Sequence, residues 1–492
     1  MYKYSRSFIV ISVFVIALSM AFNAQTPPSS TPQPDVQDRV KQLESQVLAM
    51  QAELENLKKS LAENKDSAPK PATVASAAEP SKKPDAGQPV AVSTKPAATK
   101  PSGKDLTVNV GNIKVTPYGM LFFNAFGNNS GTNNTDVPLW ATGTSAGNTS
   151  ASVRQTRFGL RAEGGRIGNA SVKAVVEADF YGGYPAIGVG ENFGLVRLRL
   201  ANIRLDWEKT SVVVGQDWMV FAPNSPTSLA AAAIPQMAAA GNPWSRLPQV
   251  RLERKLGGGF TFLGAALAPG TGDYPTGTNS PALLQPGSGA ASRLPFFQGR
   301  LAFGDGNWFG TKKAGSIGVS GHYGQSRVTV ASVTSDIDSA GIALDWNFPI
   351  VKRVQLSGEA FTGRNLGGFQ AGIFQGYNTD FAIRNGTVLT PGGVRGIGTR
   401  GGWTQIGWNL PTLENKLTAY ASIGLDDPRD LDLVTVSNLN LRSRNMVYAF
   451  DLIYKFTPQF SIGAEVRRFQ TRYIITGIRR ADHFNLGAAY TF

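Results

Sequence analysis

The sequence predicts an all-β protein, a 16-stranded antiparallel transmembrane β-barrel with an N-terminal coiled-coil helix. Three observations predict it. From residue 105 onward, short segments alternate polar and apolar residues with period two, so each segment presents one face to lipid and one to a polar interior. The connections between these segments alternate between short and long, the asymmetry expected of an outer-membrane barrel. Ahead of them lies a heptad stripe of aliphatic residues that no β-structure would require.

The first element, residues 1–24, reads as a secretory signal peptide. Lys3 and Arg6 form its basic start, 8–17 is apolar apart from Ser12, and the small residues Ser19, Ala21 and Ala24 suit cleavage. The apolar run is short for a retained membrane anchor. The second, 25–65, is the periplasmic coiled coil. Val36, Val40, Leu43, Val47, Met50, Leu54, Leu57 and Leu61 follow a strict 4-3 spacing, with Val40, Val47, Leu54 and Leu61 at a. A lone helix of this length is marginal, so self-association is the natural way to bury the stripe. The mixture of Val and Leu at a leaves dimer and trimer both open. Residues 66–104 are rich in Pro, Ala, Lys and Ser and read as a flexible linker, whose lysines could also touch the cell wall.

Residues 105–492 supply the barrel, with strands expected near 115–127, 153–164, 170–182, 194–207, 210–219, 247–256, 260–269, 293–304, 315–325, 336–348, 353–364, 400–410, 416–426, 443–456, 459–471 and 481–492. In the fourteenth, Met446, Tyr448, Phe450, Leu452, Tyr454 and Phe456 alternate with Val447, Ala449, Asp451, Ile453 and Lys455. Stretches 165–169, 208–209, 257–259, 411–415 and 457–458 are short connections; 128–152, 220–246, 270–292 and 365–399 are long ones. The segment 305–314 is longer than this pattern wants. Strand four changes phase, because Val196, Leu198 and Leu200 give way to Ile203, Leu205 and Trp207. A bulge near Ala201 and Asn202 would explain it and leaves the direction of Arg204 ambiguous. In the last strand Phe484, Leu486, Ala488, Tyr490 and Phe492 alternate, the pattern of a signal read by the barrel-assembly machinery.

Composition narrows the function. There is no cysteine, which excludes disulfides, a thiol nucleophile and Cys-ligated metal. A histidine base could only be His322 or His483, so neither an enzyme, a metal site nor a cofactor is expected. The net charge is +14, but export argues against a nucleic-acid partner. The barrel region itself carries +10, and arginine dominates its cations. With the apolar set outward, Arg157, Arg161, Lys173, Arg197, Arg199, Arg251 and Arg300 point inward, where rings of charge select solutes. Glu163, Glu177, Asp179 and Glu253 are inward acids that could brace them instead. The loop 220–246 contains no Asp or Glu.

The order of signal, coiled coil, linker and barrel resembles the DcaP-like trimeric porins of the general porin superfamily. So do VTPYGMLFFN at 115–124, LVRLRLANIRLDW at 195–207 and VGQDWMVF at 214–221. In general porins the loop after the fifth strand folds inward and narrows the channel. The resemblance implies a homotrimer in the lipid of a diderm outer membrane, with the N-terminal segment in the periplasm. It also implies passive, anion-preferring uptake of small solutes such as dicarboxylates through an arginine-lined eyelet. Phosphate-selective and non-selective porins are the nearest alternatives; a barrel enzyme or a structural tether stands further off.

Overall fold

The computed structural model describes residues 106–492 except 184–193, 272–285, 386–387, 437 and 439. The expected signal peptide, coiled coil and linker lie outside the described residues.

The described chain forms a closed antiparallel barrel of sixteen strand positions. They are β1 Ile113–Thr132, β2 in two segments Ala141–Ser152 and Arg157–Ile167, β3 Ala170–Asp179, β4 Arg197–Asp206, β5 Thr210–Trp218, β6 Arg246–Gly257, β7 Phe260–Leu267 and β8 Phe296–Asp305. The remainder are β9 Gly315–Val330, β10 Val333–Val351, β11 Val354–Arg364, β12 Gly398–Asn409, β13 Leu417–Pro428, β14 Arg442–Lys455, β15 Phe460–Tyr473 and β16 Gly477–Thr491. Each strand pairs with its sequence neighbours, and β16 returns to β1 through Met120 opposite Thr491. Two backbone bonds between Gly119 and Phe492, 3.1 and 3.2 Å, extend that seam. Closure leaves no strand edge open, which is the condition for sheet in a hydrocarbon layer.

Side chains obey the period-two expectation. Leu121, Phe123, Leu160, Val250, Leu301, Val319, Ile342, Tyr448, Phe450, Val466, Phe484 and Tyr490 form an exposed outer band. At the short-turn end aromatic rings gather. Tyr454, Phe456 and Phe460 touch in sequence at 4.7 and 5.4 Å, and Trp308 packs on Phe348 at 5.0 Å. Trp308 belongs to the connection 306–314, so its unexpected length supplies part of this girdle.

Four expectations need correction. The connection between β1 and β2 is only 133–140, because both strands continue past the apolar band as a polar ribbon. β9 and β10 likewise run on to a two-residue turn at Ala331 and Ser332, both with positive φ. The long connection 365–397 carries its own hairpin, Tyr377–Asn385 with Val388–Gly396. The β4 bulge falls earlier than expected: Ala178 pairs with Leu198 and Glu177 with Leu200, so Arg199 is the inserted residue and Leu200 turns inward at 5% exposure.

Gly119 sits where a Cβ would meet the Phe492 ring at 2.6 Å and the Arg157 carbonyl at 2.8 Å. Gly119→Val is expected to weaken barrel closure by about 1–3 kcal/mol. A lowered temperature for the heat-induced gel shift of the folded barrel would check it.

Candidate pore constriction

The residues 219–245 connecting β5 to β6 lie inside the barrel, and none of them is exposed. A loop in that position must have its backbone polar groups satisfied by the wall. Gln298 Oε1 accepts from the backbone N–H of Val220 and Phe221, at 2.8 and 3.0 Å. Ser320 Oγ accepts from Ala222, and Glu359 from Asn224. Gln405 both accepts from Thr227 N, at 2.8 Å, and donates to its carbonyl, at 2.9 Å. Ser228 donates to Glu465, and the Gln236 amide donates to Asp451 and Glu465 at 3.0–3.2 Å. Asn445 donates to Ala239 O, and Gln155 bridges Ala230 O and Ala233 N. The loop is thus fastened to β8, β9, β11, β12, β14 and β15, and to β2 across the lumen. Small residues permit the approach: a Cβ on Gly241 would stand 2.0 Å from Gly402 O.

Apolar contacts complete the seat. Met219, Val220, Phe221 and Ala222 pack with Phe296, Phe361, Leu366 and Phe369. His322 stacks edge-on to Phe296 and Phe369 at 4.9 and 4.8 Å and hydrogen-bonds Ser339 Oγ at 2.9 Å. His483 is fully buried against Asn128 Oδ1 at 2.9 Å. His322 is thus part of the loop's seat, while His483 packs between β1 and β16.

All seven cations named from the sequence lie on the inner face, but in three different settings. Arg197 and Arg199 share Asp179, at 2.6 and 2.8 Å, and Arg199 also holds Glu177 at 2.7 Å. Arg251 lies between Asp217 and Glu253, both at 2.8 Å, and Lys173 reaches Asp206 at 3.0 Å. Arg300 stands apart on β8, paired with Asp345 at 2.6 Å and 3% exposed, so it is sealed behind the loop. Arg157 and Arg161 make no ion pair with a described residue. Arg161 lies over the Tyr118 ring at 3.8 Å, while Tyr118 donates to Glu177 at 3.0 Å. Glu163, expected as a brace, forms no ion pair with a described residue and is exposed.

The sequence reading missed several participants. Arg204, left ambiguous by the phase change, faces inward and bonds Asp206 and Glu253 at 2.6 and 2.7 Å. Arg154 sits in the break between the two segments of β2 and pairs with Asp136 over Tyr181. A charged residue at the start of an alternating segment was the available signal. Arg246 is held over Trp218 and Trp244, at 4.8 and 5.2 Å, with its Nη1 buried and without a hydrogen bond. The acids Asp345, Glu359, Asp426, Asp451 and Glu465 were also missed as a group; each is at most 4% exposed behind the loop.

The two kinds of arginine should respond differently to truncation. Arg199→Ala would leave Glu177 and Asp179 short of a partner in a buried place and should cost about 3–5 kcal/mol. Arg157→Ala breaks no ion pair and should cost less, as denaturant unfolding of the two refolded variants would show.

No family model matches the chain, and no curated protein matches it. Solved structures do. The outer membrane channel DcaP of Acinetobacter baumannii is 18% identical, with a TM-score of 0.59, and the match covers 77% of this chain and 98% of that one. An anion-selective porin from Comamonas acidovorans matches at 14% identity and TM-score 0.46, over 77% of this chain and 100% of that one. Salmonella typhi OmpF, in a complex with daunomycin, matches at 13% identity and TM-score 0.48, over 79% and 100%. At these identities the likeness bears on fold, and the first match carries it. The described chain has the sixteen-stranded outer-membrane porin fold, in the form represented by DcaP.

Proposed function

We propose that the protein is a passive diffusion channel of a diderm outer membrane, preferring small anions, dicarboxylates among them. The observation that carries this is the uneven exposure of charge across the lumen. The inward acids Asp345, Glu359, Asp426, Asp451 and Glu465 are buried, and Glu359, Asp451 and Glu465 among them hold the loop's backbone and side chains. Three cations of β3 and β4 stay partly accessible, although Arg199 and Arg251 are nearly buried: the side chains of Arg197, Arg204 and Lys173 are 24, 30 and 46% exposed. A solute passing the loop meets more positive than negative charge in a wall of low dielectric. Arginine binds carboxylate and phosphate alike with its planar fork, so a phosphate-preferring channel is the second reading.

The same reading assigns 1–24 to export, 25–65 to a coiled coil that helps hold a homotrimer, and 66–104 to a tether within reach of the cell wall. The alternating terminal residues Phe484 to Phe492 would be recognised by the barrel-assembly machinery. Phe484 and Tyr490 face outward, at 44 and 48% exposure.

In a salt gradient across a planar bilayer, the single-channel reversal potential should have the sign of anion preference. Arg157→Gln with Arg161→Gln should move it toward zero without removing a brace. A cation-preferring wild type would overturn the proposal. Arg197 and Arg199 are less useful for this purpose, because their loss also uncovers Asp179. Crosslinking of the full chain and of a variant lacking 36–61 should yield trimers that are fewer without the coil.

A further inference from the structure

At the short-turn end of the barrel, the connection 306–314 does more than reverse the chain. It folds back on the outer wall. The Trp308 N–H donates to Lys313 O at 3.1 Å, and Asn307 Oδ1 accepts from the Lys312 N–H at 2.8 Å. Gly315 admits the indole, since a Cβ there would stand 2.5 Å from it. Phe309 is thereby held out from the barrel at 66% exposure, 6.2 Å from Phe348. Lys312 and Lys313 follow it, and Lys352 with Arg353 forms the next turn, between β10 and β11. The register of β9 on β10, with Ser316 opposite Asn347, sets the two turns side by side. All four cations are exposed, and none has an ion pair with a described residue. Neither turn contains an acid; Asp305, at the end of β8, accepts from the Asn307 N–H at 2.9 Å.

Beyond this cationic foot the outer wall has a trough. Leu252, Gly264, Gly299, Gly321 and Ile342 are successive cross-strand partners from β6 to β10, so three neighbouring positions lack a side chain. Phe297, Leu301, Val319 and Tyr323, their outward neighbours along β8 and β9, are 45–48% exposed and form its rims. Packing within the chain does not demand these glycines. A Cβ on Gly299 or Gly321 would meet nothing nearer than 3.8 Å, whereas one on Gly119 would collide with Phe492. A trough left empty forfeits dispersion contacts, so an apolar chain from outside gains by lying in it. From Gly315 at the foot to Gly321 in the trough is six residues. That spans about 20 Å along the strand and about 15 Å along the barrel axis. It is half the thickness of a bilayer's hydrocarbon core, the reach of one acyl chain.

We infer that this part of the wall binds an anionic glycerophospholipid of the leaflet at the short-turn end. Its phosphate lies among Lys312, Lys313, Lys352 and Arg353, and an acyl chain lies in the trough over Gly264, Gly299 and Gly321. Charge separates this lipid from a zwitterionic one, whose ammonium would meet the same four cations. Lysine and arginine near a membrane surface attract anionic headgroups, and the rings of Trp308 and Phe309 fix the depth at which these four stand. Other turns at this end lack the combination: Lys416 is paired with Glu414 at 2.8 Å, and Lys209 follows Glu208. The inference rests on the barrel's place in a membrane and not on its ion preference.

The test offers the full chain phosphatidylglycerol and phosphatidylethanolamine with identical acyl chains and reads the lipid retained in native mass spectrometry. Wild type should retain phosphatidylglycerol in preference. Lys312→Gln/Lys313→Gln/Lys352→Gln/Arg353→Gln should lose that preference. Lys209→Gln/Lys255→Gln/Lys416→Gln/Lys455→Gln, which removes as many cations elsewhere at the same end, should keep it. Gly299→Leu/Gly321→Leu, which fills the trough, should retain less of either lipid. Wild-type behaviour of the first or the third variant would overturn the inference. Loss of the preference in the second would also overturn it, since that would mark a general attraction to the rim. The heat-induced gel shift shows that each barrel is folded, and the headgroup variants decide the outcome alone if the trough variant does not fold. Lipid retention does not read ion flow, so this result stands apart from that of the proposed channel.

Discussion

A loop laid inside a β-barrel has to find partners for its own peptide groups, and much else here follows from how that is done. The barrel ladder has used the wall's backbone, so side chains must supply the bonds. They do so with Gln298, Ser320, Glu359, Gln405 and Asn445, spread over strands far apart in sequence, while Asp451 and Glu465 accept from the loop side chains Gln236 and Ser228. Acids chosen for this task are withdrawn from the lumen. The wall that faces the loop's other flank keeps Lys173, Arg197 and Arg204 partly open. On the proposed reading, the same bonds that position the constriction also tip its charge balance.

This revises the reason for expecting a positive eyelet. The absence of acid from the loop's own sequence is correct but incomplete, because the loop recruits wall acids. Those acids lie where their charge is met by Arg300, Arg467 and the loop's own donors. Had the loop stood clear of β10–β15, Asp345, Glu359, Asp451 and Glu465 would face the solute, and the balance across the lumen would be close to even.

Period-two alternation made the strands and their faces legible, because lipid on one side and water on the other impose it residue by residue. Met446 to Phe456 and Phe484 to Tyr490 fall as that pattern demands. Strand ends were less legible where the apolar band stops. Beyond Phe126 and before Val153, hydrogen bonding continues between polar residues that carry no periodic signal. Loop contacts were illegible for a stronger reason. The partners of Asn224 and Gln236 lie more than a hundred residues away, and nothing local marks them. The β4 phase change was visible, but a bulge can fall at any point in the unclear stretch, and it fell at Arg199.

That bulge bears on how bracing and attraction coexist. Asp179 lies opposite Arg157 on one side and Arg197 on the other, and the inserted Arg199 reaches the same carboxylate. The two oxygens of Asp179 already accept four bonds, two from Arg197, one from Arg199 and one from the Tyr181 N–H. Glu177 takes part of the load through Arg199 and also accepts from Tyr118. Arg157 is the guanidinium left over, and Arg161, four residues further along β2, is stacked on Tyr118 and has no ion pair with a described residue. Braced arginines hold the wall rigid, while the surplus ones keep donors free. A ladder of four arginines and two carboxylates can be stiff and, on the proposed reading, positive at once, so the two roles belong to neighbouring residues of one network.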